Sequence, residues 1–453
     1  MLESPQNNGA HSNALSRVTS WPKAVLNRIA SDAFLSGAGW LGMAQVIGRI
    51  FRLLTTLIVA RLMTPEYFGL AAIALASNEI AHVIARFGTS AYIVQCSDEQ
   101  LARHKHIANA LNWAIGIFLF LVQCAVAYPI AMWYDAPELV WPICVLALSY
   151  LMMPFGELHG ALNQRNNNLD ALAKGDIFQA IGDAILTITL AVTGFGVWAL
   201  ILPKVLVVPL WVIPQRRRVK YVAKWPKSWK STSSIIRFGQ QVLGVELLTI
   251  FRTNIDVLIV GSLLGVNALG VYFFAMNAGL GITRSLLSAL SRALYSYLCG
   301  VTDDNPIEAR FKRGLTLTFM VVIPWVALQA SLAQWYVPVV FGTQWVEHGA
   351  VPILILFCLA GIPLAFNESA SQFLRATGRT QADLRWYLPF TILYTCALLI
   401  GVRWGIMGAA ASVLTIYLIN APLYYWVNVR KRNTRVTDTQ SFSNQTSDAV
   451  TQQ

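Results

Sequence analysis

Apolar runs long enough to cross a lipid bilayer recur along almost the whole of this chain. Inside hydrocarbon no water satisfies the backbone, so a crossing segment must be a helix or a strand of a closed barrel. Runs of about 18–20 or more apolar residues read as helices. The 453 residues are 56% hydrophobic and only 12% charged, where soluble domains carry about 25% charged residues. The expected fold class is an all-α polytopic membrane protein, not a soluble enzyme with one anchor.

Twelve spans are predicted, near 35–60, 67–94, 107–133, 139–160, 175–193, 196–214, 238–262, 267–298, 314–337, 348–372, 386–402 and 405–428. Of the 34 Lys and Arg residues, seven lie inside these spans, and only Arg61 and Arg403 lie in the loops of one side. All the others fall in the two tails and in the loops 95–106, 161–174, 215–237, 299–313 and 373–385. The positive-inside rule then places both termini in the cytoplasm and requires an even number of spans. It also accounts for the net charge of +12 as a topology signal. The resulting organisation is a cytoplasmic tail (1–33), a six-helix bundle (34–214), a basic cytoplasmic loop (215–237), a second six-helix bundle (238–428) and a Ser-, Thr- and Gln-rich disordered tail (429–453). No compact apolar segment precedes Phe34, so no cleavable signal peptide is expected. A short interfacial helix is expected around Trp21–Ile29, with Pro22 in its first turn.

The basic loop interleaves Arg216, Arg217, Arg218, Lys220, Lys224, Lys227 and Lys230 with Tyr221, Trp225 and Trp229. A nucleic-acid patch has this composition, but beside a membrane span the better reading is a loop lying on anionic headgroups. Trp and Tyr also gather at predicted span ends (Trp133–Tyr134, Trp335–Tyr336, Trp386–Tyr387, Tyr424–Trp426), as interfacial belts do. The six cysteines form no CxxC pair and lie mostly in apolar segments. Free buried thiols, no disulfide and no metal site are expected.

The two halves echo each other. Ile58-Val59-Ala60-Arg61-Leu62, followed by Gly69, resembles Ile259-Val260-Gly261-Ser262-Leu263, followed by Gly270, at a shift of 201 residues. Gly196-Val197-Trp198-Ala199 resembles Gly405-Ile406-Met407-Gly408 at a shift of 209. Six spans per half make the repeats parallel, related by an axis along the membrane normal, as in transporters that rock two bundles about a central site. Prolines inside spans (Pro154, Pro203, Pro209, Pro324, Pro363, Pro389) permit bends that rocking would use.

The seven basic residues inside spans are Arg49, Arg52, Arg86, Lys204, Arg252, Arg284 and Arg292. Each costs roughly 2.5–3.5 kcal/mol at mid-membrane on insertion scales. At helical spacing they fall on polar stripes. Gln45, Arg49, Arg52 and Thr56 share a face of span 1, and Glu79, His82, Arg86 and Ser90 share one of span 2. Thr249, Arg252 and Asp256, with Glu246 near, align on span 7; Asn277, Arg284, Ser288 and Arg292 align on span 8. Spans 1, 2, 7 and 8 are repeat-related, which points to one central cavity. The acids Glu79, Glu157, Asp176, Asp183, Glu246, Asp256 and Glu368 balance the total, but the stripes of spans 1 and 8 are basic without an acid. Guanidinium forks suit phosphate oxygens, so a cationic cavity for an anionic substrate is expected, with Asp256, Glu79, Glu246 and His82 as ion-coupling candidates. The plainer alternatives are an Arg252–Asp256 pair, snorkelling by Arg292 and Lys204, and an ordinary hydrogen-bonded His82.

The stretch Ile58-Val59-Ala60-Arg61-Leu62-Met63-Thr64-Pro65-Glu66-Tyr67-Phe68-Gly69-Leu70 resembles the opening of bacterial polysaccharide transporters of the Wzx type. Ala161-Leu162-Asn163-Gln164-Arg165, the segment 194–200 and Phe373-Leu374-Arg375-Ala376-Thr377-Gly378-Arg379 are also similar to that family, and the likeness runs over about residues 34–428. The family belongs to the multidrug/oligosaccharidyl-lipid/polysaccharide flippase superfamily, which implies a MATE-like flippase fold in the inner membrane. It implies flipping of undecaprenyl-pyrophosphate-linked oligosaccharide units for exopolysaccharide, capsule or lipopolysaccharide assembly. It also implies coupling to H⁺ or Na⁺, and a polysaccharide polymerase and chain-length machinery as partners. The alternative on the same fold is a cation-coupled multidrug antiporter, against which the basic stripes argue. An enzyme is not expected: the outer loops are short, and neither a nucleotide-binding glycine motif nor a nucleophile constellation is found. No cofactor and no nucleic-acid partner are expected.

Overall fold

The computed structural model describes residues 33–85, 89–222, 232–299, 307–377 and 379–430. Arg86, the Trp21–Ile29 segment, residues 223–231 of the basic loop and the tail from 431 lie outside the described residues, as do the side chains of Glu246, Thr249 and Arg292. Among the described residues the elements are helical and no strand is formed. The first half holds α1 (Ala33–Leu62), α2 (Pro65–Ala85), a short helix Thr89–Gln95, α3 (Asp98–Trp133), α4 (Val140–Met152), α5 (Pro154–Arg165), α6 (Leu169–Val192), α7 (Trp198–Leu206) and α8 (Val208–Arg218). The second holds α9 (Thr232–Leu264), α10 (Val266–Met276), α11 (Ile282–Cys299), α12 (Ile307–Ser331), α13 (Ala350–Ala376), α14 (Thr380–Gly401) and α15 (Gly405–Tyr424).

Nine helical runs among the described residues are long and apolar enough to cross a membrane, and ten if the bent pair α4–α5 is one span. One of these runs, Arg385–Val427, contains both α14 and α15, which pack against each other across the 3-10 turn Val402–Trp404. With those two separated and the 33-residue α9 added, the chain is a multi-pass bundle of about twelve crossings. Several predicted spans differ from straight rods. The fourth breaks by 49° at Met153–Pro154, where a proline cannot donate to the preceding turn. The eighth is interrupted by the π-turn Asn277–Gly281. The eleventh starts at Thr380, so Asp383 lies on a helix and not in a loop.

The repeat is visible in the packing. In the first half α1 packs on α6, α3 on α4, and α6 on α7 and α8; in the second α9 packs on α14, α12 on α13, and α14 on α15. Gly196 and Gly405, matched at the shift of 209, both take positive φ (54° and 73°) at the turn into the last span of their half. Only glycine adopts that conformation without strain.

The halves meet where α2 lies against α9 and α10. A Cβ on Gly270 would sit 1.7 Å from the Pro65 carbonyl oxygen, and one on Gly69 would sit 2.0 Å from that of Val266. Pro65 and Val266 are themselves related by the shift of 201, so the contact is a pseudo-symmetric crossing of two backbones. Beside it Trp345, fully buried, stacks on Phe274 at 3.8 Å between ring centroids and meets the edge of Phe68. Its indole N–H and the Gln344 amide both donate to the Ala60 carbonyl at 2.8 Å, and Gln344 also donates to Met63 O. The last carbonyls of α1, which have no partner within the helix, are thereby capped from the second half. The segment 338–347, expected as a plain loop, is thus a π-turn and a short helix that plug this end of the molecule.

Substituting Gly270 by Ala should force α2 and α10 apart and cost about 1–3 kcal/mol or more, as overpacking does. Gly42→Ala, whose Cβ would meet nothing within 4 Å, should not. Melting of the two purified variants by size-exclusion analysis after heating checks the difference.

Candidate functional site

One chamber of about 300 Å³ opens inside the second half, between α9, α11, α13, α14 and α15. Arg252 and Arg284 reach it from α9 and α11; Asp256, Glu368 and Asp383 reach it from α9, α13 and α14. The Arg252 guanidinium lies over the rings of Tyr387 at 4.6 Å and Phe390 at 5.7 Å. Cation–π contacts of this kind gain strength away from water. Its Nε is buried without a hydrogen-bond partner, as are Nδ2 and Oδ1 of Asn367 in the chamber wall. Arg284 is accessible through the chamber and faces Asp256, Tyr394 and Tyr417. Asp256 accepts from the Val257 amide at 3.0 Å and from the Tyr272 hydroxyl at 3.5 Å. Asp383 accepts from Ser371 Oγ at 2.7 Å and Tyr424 OH at 2.6 Å, with Arg375 Nε at 3.8 Å.

The first half contributes at the rim. Arg49 on α1 donates across the seam to the Ser285 carbonyl and to Ser288 Oγ on α11, and Ser288 also lines the chamber. Gln45 and Arg52, exposed on α1, share the Arg49 face at helical spacing. Glu79 joins the halves at a second seam, accepting from Asn254 Nδ2 on α9 at 3.1 Å. The site is therefore a pocket in the second half with a basic edge supplied by α1, and it differs from the evenly shared central cavity that the stripes suggest.

Other expected members stand elsewhere. Lys204 is held by Asp183, with its Nζ at 2.7 and 2.9 Å from the two carboxylate oxygens, so it serves α6–α7 packing and not the chamber. Asn277 donates to Phe273 O and does not line the chamber. The π-turn that begins at this residue adds a residue to the local turn and rotates it off the Arg284 face. His82 Nε2 lies 3.1 Å from Met153 Sδ, near the Tyr150 ring and the α4–α5 bend. Arg252 and Asp256 do not pair within 4 Å, although they are one turn apart.

The electrostatic balance is also a correction: in the chamber two guanidinium groups face three carboxylates. The sequence pattern hides Asp383 because it falls in a predicted loop, Tyr387 because it reads as part of an interfacial belt, and Asn367 and Asn420 because single polar residues in apolar spans carry no spacing signal. Trp386 Nε1 donates to Asn420 Oδ1 at 2.8 Å, which ties α14 to α15 along the chamber floor.

With this geometry in place, comparison with known proteins gives a consistent answer. A family described as "Polysaccharide biosynthesis protein" matches residues 58–350. The lipopolysaccharide biosynthesis protein WzxC of Escherichia coli (strain K12) is 24% identical over 406 residues, covering 87% of this chain and 81% of that protein. Among solved structures, the lipid II flippase MurJ in an inward closed conformation superposes with a TM-score of 0.69 at 13% identity, over 85% of this chain and 86% of that one. A multidrug resistance MATE family transporter in an inward-facing conformation superposes at 0.68 and 14% identity, over 87% and 96%. The fold is the MATE-like one.

Lys204→Ala should leave Asp183 unpaired and lower stability by about 1–3 kcal/mol, less than a fully buried pair because both groups keep some exposure. Lys204→Met combined with Asp183→Leu should recover most of that loss. Thermal melting of the single and double variants in detergent reads both.

Proposed function

This chain belongs to the polysaccharide biosynthesis protein family, and we propose that it flips undecaprenyl-pyrophosphate-linked oligosaccharide units across the bacterial inner membrane for export of a surface polysaccharide. The observation that carries this reading is convergence: Arg252 and Arg284 enter one chamber, and Arg49 from the other half bonds to its rim at Ser288. A diphosphate offers these groups several oxygens at once, and guanidinium–phosphate hydrogen bonds are charge-assisted. The chamber is small for an oligosaccharide, so the sugars would lie between the halves, and the prenyl tail would stay in lipid beyond the α1–α11 seam. No bond is made or broken in such a step.

In this reading both termini face the cytoplasm, the basic loops mark the loading side, and the glycine crossing with Trp345 closes the far side. Chamber residues such as Ser371, Asp383 and Tyr424 lie toward the basic-loop ends of α13, α14 and α15, as loading from that side requires. Arg49, Arg52, Arg252 and Arg284 are the proposed headgroup ligands, with Arg86 and Arg292 kept as further candidates. Asp256 and Glu79, with Glu368 and Asp383 added from the geometry, are the proposed coupling acids for H⁺ or Na⁺. The polymerase that extends the flipped unit is the proposed functional partner.

The three carboxylates favour a second reading, a cation-coupled multidrug antiporter. Organic cations would be drawn to the acids and repelled by the arginines.

Arg284→Ala and Arg49→Ala should each abolish polymer export, with lipid-linked oligosaccharide accumulating on the cytoplasmic leaflet while membrane levels of the protein stay near normal. Arg284→Lys should restore part of the activity, since it keeps charge but loses the fork. Leaflet-specific labelling of the lipid-linked sugar in cells is the measurement. Normal export by both alanine variants, or transport of organic cations by the purified protein without transport of lipid-linked sugar, overturns the reading.

A further inference from the structure

A groove of about 650 Å³ lies on the outside of the first half between α6 and α8, remote from the chamber. The first turns of α6 and the last turn of α8 meet at the same end of the bundle, so the groove has a charged mouth and an apolar body. Lys174, Arg217 and Arg218 stand at the mouth, and Phe178, Leu210 and Ile213 line the body. The apolar side chains follow the charges by about 6 Å along α6 and about 6–10 Å along α8, at 1.5 Å per residue. All three remain exposed, Phe178 by 51%.

The charge at the mouth is unbalanced. Asp170 bonds Lys174 at 3.1 Å, and no carboxylate among the described residues pairs with Arg217 or Arg218 within 4 Å. Lys174 also lies 5.5 Å from the centre of the Trp40 ring on α1, which holds its stem along the mouth. A topology signal alone requires basic residues at this end. It does not require a cleft behind them that continues into the apolar zone.

We propose that this groove holds one anionic glycerophospholipid of the surrounding membrane, its phosphate on Arg217, Arg218 and Lys174 and one acyl chain along Phe178, Leu210 and Ile213. The order of charge and apolar surface matches that of a lipid standing in its own leaflet. Basic pockets between membrane helices take such headgroups, whereas a free phosphate would leave the apolar walls unused. The lipid would brace α8 against α6, and through α6 it would brace α1, which packs on it and carries Arg49.

The test is thermal melting of the purified full chain in neutral detergent with added dioleoyl-phosphatidylglycerol, dioleoyl-phosphatidylcholine, undecaprenyl phosphate or inorganic phosphate. Phosphatidylglycerol should raise the melting temperature saturably, and phosphatidylcholine and inorganic phosphate should not. In Arg217→Gln/Arg218→Gln, two lost charges at roughly 1 kcal/mol each correspond to about 30-fold weaker apparent affinity. Ile213→Trp fills the body without touching the charges and should also abolish the response; it carries the test if the double variant does not fold. An equal response to phosphatidylcholine, an unchanged response in Arg217→Gln/Arg218→Gln or in Ile213→Trp, or a response to inorganic phosphate alone overturns the proposal. So does preference for undecaprenyl phosphate, which would make the groove a substrate tail site.

Discussion

A charged side chain inside a bilayer must be solvated by the protein itself, and the arrangement of this molecule follows from that requirement. Desolvating a charge without a partner costs several kcal/mol. Lys204 meets the cost with a fixed ion pair to Asp183, Arg49 with a carbonyl and a hydroxyl of the opposite half, and Arg252 with two aromatic faces. These solutions are not equivalent. The Lys204 pair is closed on itself and leaves little for a ligand to compete for. Tyr387 and Phe390 cover the face of the Arg252 guanidinium without neutralising its charge, and its buried Nε has no hydrogen-bond partner. Arg284 opens into the chamber. Arg252 and Arg284 reach one chamber, where a ligand can approach them, and this separates them from the Lys204 pair more sharply than depth in the membrane does.

The same economy governs the contact between the halves. At the plugged end the two backbones touch through Gly69 and Gly270, and hydrogen bonds cross between the halves from Trp345, Gln344 and the Tyr134 hydroxyl. Each such bond is worth only about 0.5–1.5 kcal/mol net. Flat backbone contact and stacked rings bury area without interlocking long side chains. A closure of this kind holds one conformation, yet a ligand whose affinity differs by a few kcal/mol between states can shift it. Nearer the chamber the seams are bridged by polar side chains, Arg49 to Ser285 and Ser288 on α11 and Asn254 to Glu79.

Much of the architecture is legible in the sequence, because hydrophobic length and charge asymmetry are imposed by the membrane and not by tertiary detail. The crossings, the shifts of 201 and 209 and the repeat partners Gly69 and Gly270 all follow from local patterns. What cannot be read is whatever breaks helical periodicity. The π-turn at Asn277 rotates that residue out of the Arg284 stripe. The bend at Pro154 brings Met153 to His82. The early start of α14 turns Asp383 from a loop residue into part of the chamber wall. Spacing shows which residues share a face of one helix, but not which neighbouring helix that face meets. The partner of Lys204, 21 residues away, and the tyrosines around Arg284 are hidden for that reason.

The mixed charge of the chamber bears on how a flippase would release its cargo. A purely cationic pocket would hold a diphosphate in either conformation, and tight binding that does not differ between states moves nothing. With Asp256, Glu368 and Asp383 lining the same chamber as Arg252 and Arg284, repulsion of an arriving anion by the carboxylates competes with its attraction to the guanidinium groups. In the proposed mechanism a proton or sodium ion on those carboxylates relieves the competition, and its departure restores it. Headgroup affinity then depends on the occupancy of the acids, which a cation gradient can set differently on the two sides. The carboxylates that weaken a simple reading of the site as a cationic trap are, on this argument, what would let it bind on one side and release on the other.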